Sequence, residues 1–144
     1  MNRKIISCVI SCHNEEKNIP ILLDQLKNYE LLDKFEFILV NNGSTDNSWK
    51  VMSESKEKFP NIIFLNLQEN LGWGNGISQG LKLTTCDYVG WIHSDLQYDM
   101  KILIKVYDLF QDPKNKKENI LIKGRRKSRT LVENLFTMSM SIIA

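Results

Sequence analysis

The chain has 144 residues, of which 42% are hydrophobic and 25% charged, a composition that suits one domain with a buried core and argues against disorder. We therefore expect a single domain over residues 1–144. The net charge is only +2, but eight of the nineteen basic residues lie between Pro113 and Arg129, where Glu118 is the sole acid. This local cluster favours an anion site over the broad basic surface of a nucleic-acid-binding protein. No stretch reaches the ~20 apolar residues that span a bilayer.

Short apolar runs alternate with longer amphipathic segments, the pattern of strands joined by crossover helices. In chain order, the predicted elements are a strand at 5–10, a helix capped by Asn18 with Pro20 in its first turn, a strand at 35–40, a helix at 46–58, a strand at 62–67, a glycine-rich segment at 71–80 leading into a helix that ends near Thr84, a strand at 87–92, a helix at 100–110, a strand at 120–123 and a helix at 130–144. We therefore expect an α/β fold, a mostly parallel sheet with helices on both faces.

The cysteines indicate a reducing, cytoplasmic compartment. Cys8, Cys12 and Cys86 are odd in number and have no CxxC spacing. The first two fall in or just after an apolar strand pattern, where a free thiol packs as a small hydrophobe. The amino-terminal apolar run is short and soon meets His13 and two glutamates, so it predicts a strand and not a signal peptide.

Polar segments follow four of the predicted strands. In parallel sheets ligands collect at the carboxyl ends of the strands, which meet at one edge, so these segments should converge. Loops are often merely polar, but four such loops in succession favour a binding site. The segments are His13-Asn14-Glu15, Asn41-Asn42-Gly43-Ser44 with Asp46, residues 70–75 and residues 93–97.

The loop at 93–97 carries the side chains of a metal site. Mg²⁺ and Mn²⁺ take oxygen ligands, usually one or two carboxylates plus substrate phosphates and water. Asp95 offers a carboxylate, Gln97 an amide oxygen, and His93 a nitrogen that Mn²⁺ tolerates better than Mg²⁺. The metal would neutralise a departing diphosphate. Taken alone the loop is a weak signal, because a loop aspartate is more often a turn or cap residue.

Gly72, Gly74 and Gly76 do not complete the dinucleotide-binding pattern GxGxxG. Ile77 and Gln79 stand where its last glycine would be, and the segment follows the third strand instead of the first. The glycines are expected to let the backbone approach a ligand or to tighten the turn into the helix.

The basic cluster at 123–129 follows a predicted strand, a position that favours phosphate binding by arginine side chains. A solvated loop and contact with anionic lipid remain alternative interpretations, and membrane contact is compatible with phosphate binding.

With these segments in order, the sequence resembles the family 2 glycosyltransferases of the GT-A fold, and within them the branch of dolichol-phosphate mannosyltransferases and bacterial polyprenyl-phosphate glycosyltransferases. The resemblance implies a Rossmann-like sheet that binds a nucleotide-sugar, and metal-assisted, inverting transfer of the sugar to a polyprenyl phosphate. It rests on the stretches VISCHNEEKNI, FILVNNGSTDNSW, NLGWGNGISQGL, SDLQYD and KGRRKSR, which span nearly the whole chain in the family's order.

The resemblance also implies roles for individual residues. The family's metal loop falls on Asp95, which would be the catalytic residue, with Gln97 and His93 as further metal ligands. Phosphate contacts fall on Arg126 and Arg129. The loops after the first three strands would bind the nucleotide through Ser11, His13, Glu15, Asn42, Ser44 and Gly72.

Three departures from the family pattern bear on chemistry. Ser11 and His13 stand where the family usually has proline and tyrosine, and Asn41 and Asn42 replace paired aspartates. An asparagine still offers a carbonyl oxygen to a base N–H but no charge. His93 replaces the first aspartate of the metal loop, which lowers the negative charge at the metal and favours Mn²⁺.

Catalytic domains of the family continue beyond this length with an acceptor-side segment, so the resemblance implies that this segment is missing here. A phosphate acceptor needs no strong base, because its oxygen is ionised at neutral pH. A non-catalytic nucleotide-sugar-binding module, or an inactive remnant, is the alternative. Contact with the inner face of the membrane through the basic cluster, and homo-oligomers formed at an unfinished sheet edge, are further expectations.

Overall fold

The computed structural model describes residues 4–112, which form a four-stranded parallel sheet in the order β3-β2-β1-β4. The predicted α/β architecture is confirmed, whereas the predicted strand at 120–123 and helix at 130–144 lie outside the described residues. Within residues 4–112 no helix is long and apolar enough to cross a membrane.

The elements are β1 (Ile6–Cys12), α1 (Asn18–Asn28), a short 3₁₀ helix (Leu31–Asp33), β2 (Phe35–Asn42), α2 (Ser48–Ser55), β3 (Ile62–Leu67), α3 (Trp73–Leu81), β4 (Tyr88–His93) and α4 (Ile102–Gln111).

Helices cover both faces of this sheet, as predicted. Side chains alternate along β1, so that Cys8 and Ile10 point to one face and Val9 to the other. The first face packs against α1, α2 and α4, and Val9 packs against Ile77 of α3. Burial on both faces explains why β1 and β2 are nearly continuous apolar runs.

The predicted capping role of Asn18 is wrong. Helix α1 begins at Asn18 itself, and the residue before it, Lys17, makes no side-chain cap. The carbonyl of Glu15 accepts hydrogen bonds from the backbone amides of Asn18 and Ile19, both at 3.0 Å. These bonds satisfy the first amides of the helix, so a capping side chain is not needed there.

Glu36 ties the α3–β4 loop to the sheet at the amino-terminal ends of the strands. Its carboxylate accepts hydrogen bonds from the Ser7 hydroxyl and from the amide and hydroxyl of Thr85, the last two at 2.9 and 2.6 Å. Partial burial alone would raise the pKa of Glu36, but the bonds from Ser7 and Thr85 outweigh burial and hold it below its ordinary value.

We expect Glu36→Gln to lower the free energy of unfolding at pH 7 by about 2 kcal/mol, because three hydrogen bonds to a charged acceptor are weakened. The folded-state pKa is depressed, so the stabilisation is full above the unfolded pKa and is lost as pH falls through the folded pKa. Urea unfolding at pH 7 and at about pH 3 checks this. Equal destabilisation at both pH values would show that the stabilisation does not depend on the charge of Glu36.

Helix α3 lies close to β1 and β2 because glycines face the sheet. A methyl group on Gly80 would overlap Val9, and one on Gly76 would overlap the Ser11 hydroxyl and lie 3.0 Å from Asn42 Cγ. A methyl group on Gly74, in the same helix, would meet nothing within 4 Å. The small residues therefore determine how near α3 comes to the carboxyl ends of the two central strands.

We expect Gly76→Ala to destabilise the fold by about 1–3 kcal/mol, because the added methyl group must displace Ser11 or Asn42. Gly74→Ala is the matched control: it should leave stability unchanged or raise it by up to about 1 kcal/mol, since alanine favours the helix. Thermal and urea unfolding measure both. Equal effects of the two substitutions would argue against the close packing.

Candidate functional site

A cleft of about 220 Å³ opens at the carboxyl edge of the sheet, on the face that carries α3. Ser11 and His93 are paired across β1 and β4, and Asn42 ends the strand on the other side of β1. Parallel strands therefore bring three distant parts of the chain to one place. The lining consists of Ser11, His13, Glu15, Asn42, Asn70, Trp73, His93, Ser94 and Asp95.

Most of the residues predicted for the site lie in this lining or beside it. Gly72 and Ser44 stand just outside the lining. The Gly72 carbonyl accepts a hydrogen bond from the lining residue Asn42, and the Ser44 hydroxyl accepts one from the amide of Asn14, which lies between His13 and Glu15. The exposed Gln97 follows Asp95 in the same loop, and its backbone amide donates to Asp95 Oδ1 at 3.1 Å. Arg126 and Arg129 lie outside the described residues.

Sequence reasoning did not select Asn70, Trp73 or Ser94, although all three line the cleft. The signal was available for all three: residues 70–75 and residues 93–97 are two of the four strand-end segments, so their side chains were candidates. The glycines around Trp73 indicated a backbone role for this segment, so its side chain was not selected. Ser94 is buried and donates from its hydroxyl to the Ser11 carbonyl at 3.1 Å, which joins the β4 loop to β1.

The amide of Asn42 is buried and its orientation is determined. Its Nδ2 donates to Asn70 Oδ1 and to the Gly72 carbonyl, both at 3.1 Å. A backbone carbonyl only accepts, so the nitrogen must be on that side. Asn42 Oδ1 consequently points away from these partners and has no hydrogen-bond partner among the described residues, although Asn42 is only 2% exposed. A buried carbonyl oxygen without a donor is costly.

The loops after β1 and β2 are bound tightly to each other. Asn14, at φ 57°, donates its amide to the Ser44 hydroxyl and accepts the Thr45 amide on its own side chain, at 3.0 and 2.8 Å. Asp46 accepts from the Glu16 amide and from the Ser48 amide and hydroxyl. Burial alone would raise the pKa of Asp46, but these hydrogen bonds lower it. The Asp46 carboxylate that joins the two loops is therefore charged at neutral pH.

His13 is held by both ring nitrogens. Nδ1 lies 3.0 Å from the Asn42 carbonyl, which can only accept, so Nδ1 carries the proton. Nε2 lies 3.4 Å from Asn14 Nδ2, a longer contact in which the amide donates. His13 lines the cleft at the position where the resemblance leads one to expect a tyrosine.

Asp95 is the carboxylate that could hold a metal. It is half-buried, and no described residue donates to Oδ2, so that oxygen is available to a ligand. Between residues 4 and 112 no three His, Cys, Asp or Glu side chains form a group that could bind an ion unaided. One carboxylate with neutral donors fits a divalent cation that arrives with a diphosphate, because phosphate oxygens then complete the coordination.

The cysteines near the cleft are unsuited to nucleophilic chemistry. Cys8 and Cys12 are free and buried, as predicted for small hydrophobes. Burial raises the pKa of both thiols to about 12, so they stay protonated at neutral pH.

The sequence matches known proteins over most of its length. A poly-beta-1,6-N-acetyl-D-glucosamine synthase of Staphylococcus aureus is 35% identical over 112 residues, which are 76% of this chain and 26% of the synthase. A dolichyl-phosphate beta-glucosyltransferase of Trichomonas vaginalis is 38% identical over 82 residues, 52% of this chain and 25% of the relative. The chain thus spans about a quarter of the length of these relatives.

Solved structures share the fold. Staphylococcus aureus TarS in complex with UDP-GlcNAc superposes with a TM-score of 0.63 at 24% identity, over 74% of this chain and 31% of that one. A mannosyltransferase of Pyrobaculum calidifontis in complex with GDP-Man and Mn²⁺ gives 0.63 at 21% identity, over 78% and 34%.

Residues 7–130 match the family described as Glycosyl transferase family 2, a range that contains every lining residue of the cleft. The predicted family and the predicted fold are both confirmed. The chain belongs to the family 2 glycosyltransferases, nucleotide-sugar-dependent transferases of the GT-A fold.

Proposed function

We propose that the cleft binds the nucleotide diphosphate part of a sugar donor, and that the protein transfers the sugar to an acceptor with inversion. The observation that carries the proposal is the buried, unpartnered Oδ1 of Asn42 in a cleft built from three strand ends. A buried acceptor without a partner is a cost to folding, and a ligand N–H would remove that cost.

In this proposal, Asn42 accepts a hydrogen bond from the base of the nucleotide, and His13 lies beside the base. Because the amide nitrogen of Asn42 is already committed to Asn70 and Gly72, the residue offers only an acceptor to the ligand. Uracil and guanine present a ring N–H, whereas the corresponding ring nitrogens of cytosine and adenine carry lone pairs and these bases donate there only from an exocyclic amino group. The site is therefore suited to a uridine or guanosine nucleotide. The cleft is also lined by Ser11 and Glu15. Ser44 and Gly72 support this lining from outside, through hydrogen bonds to Asn14 and Asn42.

Asp95 supplies the carboxylate for a Mg²⁺ or Mn²⁺ ion bound with the diphosphate, with Gln97 and His93 beside it. When bound, such a cation would neutralise charge that builds on the leaving diphosphate. An acceptor oxygen attacks the anomeric carbon from the side opposite the diphosphate, the bond to the diphosphate breaks, and the configuration inverts. The arginines of the basic cluster, Arg126 and Arg129, add phosphate contacts.

We propose a polyprenyl phosphate as the acceptor, at the cytoplasmic face of a membrane. A phosphate monoester is ionised at neutral pH and needs no general base. The Trichomonas relative, a dolichyl-phosphate beta-glucosyltransferase, agrees with a lipid-phosphate acceptor. The Staphylococcus relative, a poly-beta-1,6-N-acetyl-D-glucosamine synthase, points to a saccharide hydroxyl instead. Incubation with donor and either a short polyprenyl phosphate or a chitooligosaccharide distinguishes the two acceptors.

We expect the wild-type chain to bind UDP or GDP at least about tenfold more tightly than CDP, and Asn42→Leu to remove that preference. The leucine keeps the volume but has no acceptor. Asn41→Leu is the matched control, because Asn41 precedes it on β2 and points to the opposite face. Isothermal titration of the three nucleotides measures the ratios. An unchanged preference in Asn42→Leu would exclude base reading by this residue.

We expect Mn²⁺ to strengthen binding of UDP or GDP by about tenfold or more, and Asp95→Ala to abolish that gain while sparing metal-free binding. Asp99→Ala is the control: the Asp99 carboxylate is in the same loop but is bonded to Tyr29 and the Lys101 amide. Titration with and without Mn²⁺ measures the effect. Metal-independent binding that is indifferent to Asp95→Ala would refute the metal role.

A non-catalytic nucleotide-sugar-binding module is the second candidate, favoured by the histidine that replaces the first carboxylate of the metal loop. Release of free nucleotide diphosphate from a nucleotide-sugar, with or without an acceptor, separates the two functions. Metal-dependent turnover that Asp95→Ala removes excludes the non-catalytic module, whereas tight donor binding without any turnover supports it.

A further inference from the structure

Trp73 and His93 form a stacked pair in the wall of the cleft. Their ring centroids are 4.8 Å apart and their planes are inclined by only 11°. Trp73 is the first residue of α3, and His93 is the last residue of β4, so the stack joins two elements that are distant in sequence. Both side chains are exposed, Trp73 by 44%, and both line the cleft.

The stack restrains the imidazole plane but leaves its edge unoccupied. Within the described range, neither ring nitrogen of His93 has a hydrogen-bond partner, in contrast to His13, whose two nitrogens are both engaged. The lone pair of a neutral imidazole lies in the ring plane, so stacking on the ring face does not block it. His93 is thus a restrained nitrogen donor, two residues from the Asp95 carboxylate.

We propose that Trp73 is a positioning residue for His93, and that the pair gives the cleft a preference for Mn²⁺ over Mg²⁺. This inference rests on the proposed function, since the cation is the one bound with the donor diphosphate at Asp95. Trp73 holds the ring, and one nitrogen of His93 would bind the ion together with the Asp95 carboxylate and phosphate oxygens of the donor.

The chemistry of the two cations supports a preference. Mg²⁺ strongly favours oxygen ligands and retains its water, whereas Mn²⁺ accepts an imidazole nitrogen more readily. A neutral nitrogen at position 93 also removes one negative charge from the site relative to an aspartate. A free histidine at a strand end would have to lose rotamer freedom on binding the ion, and the stack with Trp73 has already removed much of it.

The test is cation binding by the full chain at about pH 7.5, where an ordinary histidine is mostly neutral. Electron paramagnetic resonance of free Mn²⁺ measures its affinity in the presence of UDP or GDP, and competition measures the affinity for Mg²⁺. The variants are Trp73→Leu, which removes the ring, and Trp73→Phe, which keeps one. Trp91→Leu is the control, because Trp91 is an exposed tryptophan on β4 outside the cleft lining.

We expect Trp73→Leu to weaken Mn²⁺ binding by about tenfold with little change for Mg²⁺, and Trp73→Phe to restore most of the loss. Trp91→Leu should behave as wild type. His93→Asp should shift the preference towards Mg²⁺, and adding Trp73→Leu to it should then change nothing further, because no imidazole remains to be positioned.

Unchanged Mn²⁺ affinity in Trp73→Leu would overturn the inference, as would an equal loss for both cations, which would indicate general damage to the cleft. These results differ from a failure of the proposed function, in which wild type shows no Mn²⁺ binding that depends on nucleotide and on Asp95. The chain has only two histidines, so a second readout is direct: Mn²⁺ should broaden the ring proton resonances of His93 before those of His13.

Discussion

Strand β1 hydrogen-bonds to β2 along one side and to β4 along the other, always in parallel, and every one of its residues is buried. Parallel pairing points all carboxyl ends to the same edge, so the loops that follow Cys12, Asn42 and His93 must meet there. The helices cover both faces because the connections between parallel strands cross the sheet. The cleft is therefore a direct consequence of how the central strand is paired.

The cleft also depends on how closely α3 approaches that edge. Gly76 and Gly80 present no side chain to the central strands, and Gly72, at φ 92°, begins the turn into the helix. The approach brings the Gly72 carbonyl within reach of the Asn42 amide and sets Trp73 against His93. Among the described residues, Asn42 Oδ1 is buried without a hydrogen-bond partner, and the same holds for Asn41 Oδ1; only that of Asn42 belongs to a residue that lines the cleft.

The amide and imidazole groups set this cleft apart from the acidic pattern common in the family. Asn42 keeps the acceptor of an aspartate without its charge, and His93 supplies nitrogen where an oxygen is usual. Asp95 is thus the loop carboxylate that lines the cleft, and it shares the cleft with Glu15. A cleft with fewer negative charges would repel a diphosphate less.

Apolar periodicity and motif order are local properties of the chain, and they were enough to predict the four described strands, the α/β class and the family. The direction of parallel strands was enough to predict that Ser11, His13, Glu15, Asn42, His93 and Asp95 converge. The orientation of the Asn42 amide, the stack of Trp73 on His93 and the start of α1 at Asn18 became known from the three-dimensional structure alone. The first two depend on contacts between residues 20 to 30 positions apart, and such contacts follow from the placement of α3 against the sheet. The third depends on the Glu15 carbonyl, which accepts from the amides of Asn18 and Ile19, and the Glu15 amide itself donates to the distant Ser48 hydroxyl.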